Sequence, residues 1–111
     1  MGASVYRITS SGAGAVALSS TVPSGACYRV VSVGVHLSAA PTSAGSLTVT
    51  LDSIDGPEHD LLIDTTSMIG VTDYLYLPDQ DWLVIAGDAV DVAYANPDGR
   101  TYGARITLKA V

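Results

Sequence analysis

One cysteine and no phenylalanine occur in the 111 residues, and five basic side chains stand against eleven acidic ones. With Cys27 alone, an intrachain disulfide, a CxxC redox pair and a four-cysteine zinc site are all impossible, so packing must hold the fold. A nucleophilic Cys27 would need an imidazole base, and only His36 and His59 are present. The plainer reading is a small buried apolar side chain at the start of a strand. The net charge of −6 and pI near 4.3 exclude a protein that grips nucleic acid by neutralising phosphates. No apolar run approaches the roughly 18 to 20 residues of a membrane-spanning helix. Residues 1–20 also lack the basic start and continuous apolar core of a secretory signal, and Tyr6 stands where the myristoylation pattern wants Ser or Thr. Neither a nucleic-acid partner nor a membrane is expected.

What is present is a folding chain. Hydrophobic residues make up 48% and charged residues 14%, which places the sequence outside the disordered class. Its length fits one domain, residues 1–111, and two halves would each be too small for a proper core.

Alternation with a period of two runs through most of it. Val31, Val33, Val35 and Leu37 alternate with Ser32, Gly34 and His36, and Leu47, Val49 and Leu51 with Thr48, Thr50 and Asp52. The same pattern covers Val90 to Tyr94 and Tyr102 to Lys109, and shorter candidates lie at Val5 to Thr9, Ala15 to Ser20, Asp60 to Asp64, Tyr74 to Leu77 and Trp82 to Ala86. That makes about nine strands. Asn96-Pro97-Asp98-Gly99 carries the chemistry of a tight turn, which predicts a hairpin joining the last two strands. No window keeps a capped apolar stripe at helical spacing, and only residues 65–71 suggest a short turn. Strands spaced by about ten residues predict an all-β, antiparallel β-sandwich of jelly-roll wiring, and not a parallel α/β fold. The small-residue run Ser10 to Gly14 reads as a flexible connection, so residues 1–14 are expected to form a mobile N-terminal arm able to exchange onto a neighbour.

Charge is segregated along the chain. Every acidic residue lies between Asp52 and Asp98, and Arg7, Arg29, Arg100, Arg105 and Lys109 all lie outside that stretch. With the terminal strands in one sheet, one side of the molecule would be basic and the opposite loops acidic, which favours oriented docking or head-to-tail self-association. The same residues also read as a solvated acidic surface.

Motifs for chemistry are sparse. The loop Asp55-Gly56-Pro57-Glu58-His59-Asp60 groups hard oxygen ligands that suit calcium, but its spacing is not that of an EF-hand and a polar hairpin tip explains it equally. Asp79-Gln80-Asp81 does not by itself provide opposed carboxylates for glycoside hydrolysis. There is no GxSxG elbow, GxGxxG or Walker loop. No catalytic residue, cofactor or metal is expected. The aromatic content rests on six tyrosines and Trp82, residue types suited to interfaces and sugar platforms. In Tyr74-Leu75-Tyr76-Leu77, alternation puts both tyrosines on one face, and if the leucines are core the tyrosines point outward, although a structural tyrosine packed within the strand is the more frequent outcome.

Three stretches carry a family resemblance: Val22-Pro23-Ser24-Gly25-Ala26-Cys27-Tyr28-Arg29-Val30, the run Leu83 to Val92 with its Gly87-Asp88 turn, and Arg105-Ile106-Thr107-Leu108. Together they resemble the small jelly-roll virion proteins of tailed bacteriophages. The resemblance implies a non-enzymatic capsid decoration or cement protein, commonly a homotrimer, partnered by the major capsid protein. It would be made in the host cytoplasm and sit on the capsid surface of the virion. Candidate interface residues are Val5, Tyr6, Arg7, Arg29, Tyr74, Tyr76 and Arg105. The rival expectation is a carbohydrate- or receptor-binding module of a head fibre or tail part, in which Trp82, Tyr76 and loop carboxylates form a platform.

Overall fold

The alternating segments become a two-sheet sandwich in the computed structural model, which describes residues 4–111. The lipidation pattern at Met1 and Gly2 and the first three residues of the expected arm lie outside that range. In chain order the strands are β1 (Val5–Gly12), β2 (Val16–Thr21), β3 (Cys27–Leu37), β4 (Ser46–Asp52), β5 (Leu61–Ser67), β6 (Asp73–Tyr76), β7 (Leu83–Ile85), β8 (Ala89–Tyr94) and β9 (Tyr102–Ala110). A single turn of 3-10 helix covers Pro57–His59, where proline presets the first helical position. One sheet runs β1-β9-β3-β6, with β7 also paired to β3, and the other runs β2-β8-β4-β5. Every pairing is antiparallel. β6 and β7 lie end to end along β3, because β6 pairs with Val33–His36 and β7 with Cys27–Arg29. The all-β sandwich of nine strands is therefore as the sequence predicts, and its strand order is compatible with a jelly roll.

Most connections cross between the sheets, which makes the two layers one unit. The β1–β2, β3–β4, β5–β6 and β8–β9 links each pass from one sheet to the other. Asn96 holds two of these crossings together: its amide nitrogen donates to the carbonyls of Gly14 at 2.9 Å and Arg100 at 2.8 Å, and its side-chain oxygen accepts from the Arg100 amide at 3.0 Å. Asp98 ties in a third by accepting from the Thr42 and Ser43 amides and the Ser43 hydroxyl. The β2–β3 and β7–β8 links also cross, joined by Val22 N–H donating to Asp88 O and Gly87 N–H to Val22 O. Gly87 has φ +90°, and a Cβ there would fall 2.3 Å from Ile54 Cδ1, so only glycine fits under that isoleucine.

The core lies between the sheets. Leu37, Leu47, Met68, Val33, Val49, Val84, Val90 and Ile106 are fully buried within it. Tyr74, Tyr94 and Tyr102 are buried too and supply the aromatic bulk that a chain without phenylalanine must find elsewhere.

Three local expectations are corrected. The Asn96–Gly99 turn forms, with Gly99 N–H donating to Asn96 O at 3.0 Å, yet β8 and β9 belong to different sheets and make no hairpin. The bonds from Asn96 and Asp98 open the chain toward both layers. In β3 a bulge between Val30 and Ser32 shifts the alternation, so Val30 is buried and Val31 only half-buried. Strand β5 extends to Ser67, leaving a tighter turn at Ile69 and Gly70 than the expected one over residues 65–71.

Candidate functional site

Charge separates by sheet. Strands β2, β4, β5 and β8 contain Asp52, Asp64 and Asp91 and no Lys, Arg or His, whereas β1, β3 and β9 carry Arg7, Arg29, Arg105 and Lys109; the exception is Asp73 at the start of β6, on the five-stranded sheet. Register places those four cations on one surface. On β9 the apolar side chains Tyr102, Ala104, Ile106 and Leu108 are buried in the core, so the alternate positions Arg105, Thr107 and Lys109 point the other way, with Thr107 covered by its neighbours. Arg29 is cross-strand from Lys109 and Arg105 from Gly34, while Arg7 faces outward beside Thr107. Arg29 and Lys109, set side by side across the strands, repel each other on this face.

Along one margin of the same face runs an apolar stripe. Leu75 on β6, Leu77 just past its end, and Leu83 and Ile85 on β7 are 64%, 59%, 51% and 53% exposed. Leu75 lies opposite Gly34, Leu83 opposite Arg29 and Ile85 opposite Cys27. At about 3.3 Å per residue the stripe follows β3 for roughly 23 Å. Scattered exposed aliphatics need no explanation, but four in line beside a cationic ridge resemble an interface core with its polar rim.

Between β1 and β6 a groove of about 690 Å³ crosses the strands, lined among others by Gly34, His36, Asp73, Leu75, Gly103 and Arg105. His36 Nδ1 lies 2.5 Å from Asp73 Oδ1, and both side chains are largely exposed. The hydrogen bond to His36 holds the Asp73 carboxyl below its ordinary range, helped by the Thr72 hydroxyl. On the four-stranded sheet the trend is opposite: the Asp60 carboxylate, then desolvation, then Asp91 push Asp52 upward. That sheet carries mutually repelling acids.

The expected interface residues divide. Val5, Arg7, Arg29 and Arg105 come together on the outer face of the five-stranded sheet. Tyr6 aligns with buried Leu108, so it turns to the inner rim, where its ring sits 5.1 Å from that of Tyr28. Tyr74 and Tyr76 face inward as well, as strand-packed structural tyrosines, so they leave the set of expected interface residues on the outer face. They stand opposite buried Val35 and Val33, and Tyr74 is 8% exposed with its hydroxyl donating to Asp64 at 2.5 Å. Burial first, and the Asp64 bond second, push the Tyr74 hydroxyl pKa well above its usual value. The leucines therefore occupy the surface. Of the N-terminal segment, Val5–Gly12 pairs with β9 along its whole length as an edge strand.

The remaining candidates have structural work. Asp88 is buried and accepts the Ile54 and Ile85 amides, and Asp60 accepts the Ser53 amide. Among the described residues no three His, Cys, Asp or Glu side chains converge as a metal-ligand group, and no helix is long and apolar enough to cross a membrane. Cys27 is free and half-buried. Trp82 packs edge-on against Tyr76 at 6.4 Å beside a hollow of about 410 Å³ that includes Asp79, Gln80 and Asp81.

No protein-family model and no curated protein matches the chain. A solved structure described as "Structure of infectious bursal disease virus Gx strain" matches with a TM-score of 0.39 at 15% identity, over 98% of this chain. The chain spans 30% of the length of that one.

Proposed function

We propose that the chain is a non-enzymatic structural protein of a virion, a decoration or cement protein that docks on the outer capsid surface and stabilises the head. The observation that carries this reading is the outer face of the five-stranded sheet, where four of the five cations flank an exposed aliphatic stripe. Burying the exposed half of each stripe residue contributes about 1 kcal/mol, hence about 4 kcal/mol per copy. That is too little for one tight contact after the cost of association. A homotrimer engaging three equivalent capsid sites multiplies the effect through effective concentration. The four-stranded sheet, acidic and rich in Ser and Thr, then faces solvent and keeps a densely decorated surface soluble. The major capsid protein is the partner, the capsid surface the location, and the host cytoplasm the place of synthesis. The sequence resemblance to phage decoration proteins supports the same assignment.

Light scattering on the purified protein, followed by co-sedimentation with undecorated phage heads, tests the reading. A trimer that saturates heads at a fixed ratio to capsid subunits is expected. A protein that leaves heads bare in every oligomeric state would overturn it.

A second reading attaches to the hollow beside Trp82. Its indole Nε1 is buried without a hydrogen-bond partner among the described residues, and Tyr76, Asp79, Gln80 and Asp81 line the same space. An aromatic wall with carboxylates and an amide suits a sugar. A glycan array, run with and without chelator, detects it; a blank array removes it.

A further inference from the structure

Two glycines lie in the interiors of neighbouring strands on the proposed docking face, and the fold requires neither. Gly34 on β3 pairs with Arg105, and Gly103 on β9 pairs with His36. Neither has the positive φ that reserves a site for glycine. A Cβ at Gly103 would meet nothing within 4 Å, and one at Gly34 would meet only ordinary contacts, the nearest being Arg105 Nε at 3.7 Å. Glycine inside a strand weakens it and frequently marks a place where another molecule approaches the backbone closely. Here the two glycines leave bare backbone as the floor of the groove that crosses β1, β9, β3 and β6.

We propose that this groove binds an extended acidic peptide segment of the docking partner, laid across the strands with its backbone over Gly103 and Gly34. Four strands about 4.8 Å apart span roughly 14 Å, the length of about four extended residues. Arg105, whose side chain lies beside Gly34, receives a carboxylate of the segment; the one carboxylate on the groove wall, Asp73, is already engaged by His36. Leu75, 64% exposed, receives an apolar side chain of the segment. Thr9 and Ser11 on β1 form the far rim. Charge selects the occupant: Arg105 lines the groove, Arg7 stands opposite Thr107 two residues along β9 from it, and Arg29 and Lys109 lie farther along the same face, so an acidic segment is attracted and a basic one repelled. A sugar is disfavoured because Tyr74, Tyr76 and Tyr102 all turn their rings inward, leaving no aromatic platform on this side among the described residues.

The inference rests on the docking reading of the same face, and one set of variants separates the two. The probe is a fluorescein-labelled hexapeptide of alternating glutamate and valine, followed by fluorescence anisotropy at low salt, with a glutamine-valine peptide for comparison. The unaltered protein should bind the acidic peptide about tenfold more tightly than the neutral one. Gly103→Val has open space and better strand propensity, so its melting temperature should hold or rise while peptide affinity falls about tenfold or more. Arg105→Gln should lose the preference for the acidic peptide. Gly103→Val binding the acidic peptide as tightly as the parent would overturn the groove assignment. If Gly103→Val still docks on heads while Leu83→Asp, outside the groove, does not, the groove fails and the docking face stands. Peptide binding lost in Gly103→Val, together with heads left bare by the parent protein, would keep the groove and remove the capsid reading.

Discussion

Replacing Asn96 with alanine perturbs the point where two inter-sheet crossings meet. Its carboxamide makes three good hydrogen bonds, to Gly14 O, Arg100 O and the Arg100 amide, with a longer one to Ala13 O at 3.3 Å. The residue is 5% exposed, so the orphaned carbonyls and amide do not regain water easily. At about 1 kcal/mol for each lost bond the change removes about 3 kcal/mol. Asn96 also has φ +54°, and alanine in the left-handed region adds about 1 kcal/mol. Asn96→Ala should therefore lose about 4 kcal/mol in urea unfolding followed by circular dichroism, and melt roughly 16 °C lower at about 4 °C per kcal/mol. Asn96→Gly isolates the first part, since glycine accepts the backbone and loses only the bonds, about 3 kcal/mol. A loss below about 1 kcal/mol in the alanine variant, or a glycine variant less stable than the alanine one, would refute the reasoning.

Two tyrosines with opposite surroundings should respond oppositely to loss of the hydroxyl. Tyr74→Phe strips the donor from half-buried Asp64 and should cost about 1–2 kcal/mol in the same assay. Tyr94→Phe removes a buried hydroxyl that has no partner among the described residues, so stability should hold or rise. Asp98 gives a pH prediction. The Ser43 hydroxyl first, then the Ser43 and Thr42 amides, hold its pKa down from 3.8 to about 2. A depressed carboxylate stabilises the fold above its unfolded value, and that contribution disappears as pH falls from about 4 to about 2. Asp98→Asn should melt below the parent at neutral pH, and the difference should vanish near pH 2.

Nine strands were legible because alternation needs only one buried face, and both faces of this sandwich that meet inside are aliphatic. Sheet membership was less legible. The Asn96–Gly99 turn has hairpin chemistry, but its outcome depends on Asn96 reaching Gly14 and Asp98 reaching Ser43, contacts more than fifty residues apart in sequence. Strand polarity at Tyr74–Leu77 was ambiguous from alternation alone, since both tyrosine and leucine can fill a core. The absence of phenylalanine was the available signal that tyrosines would go inside. The bulge in β3 left no mark in the sequence, and the apolar stripe emerges only when β6 and β7 line up along one neighbour. Among the candidate site residues the arginines were legible, because charge segregated along the chain became charge segregated by sheet.

On the proposed function, the outer face of the five-stranded sheet, and not the acidic one, meets the partner. The direct measurement is co-sedimentation of single-site variants with undecorated heads, comparing Leu83→Asp on that face with Ala17→Asp on the exposed side of β2. Each is an exposed position, so folding should be unaffected and is checked by melting. Leu83→Asp should weaken head binding at least about tenfold, through lost apolar burial and an acid set into a cationic face, while Ala17→Asp should bind as the parent does. Loss of binding in Ala17→Asp with Leu83→Asp unaffected would contradict it.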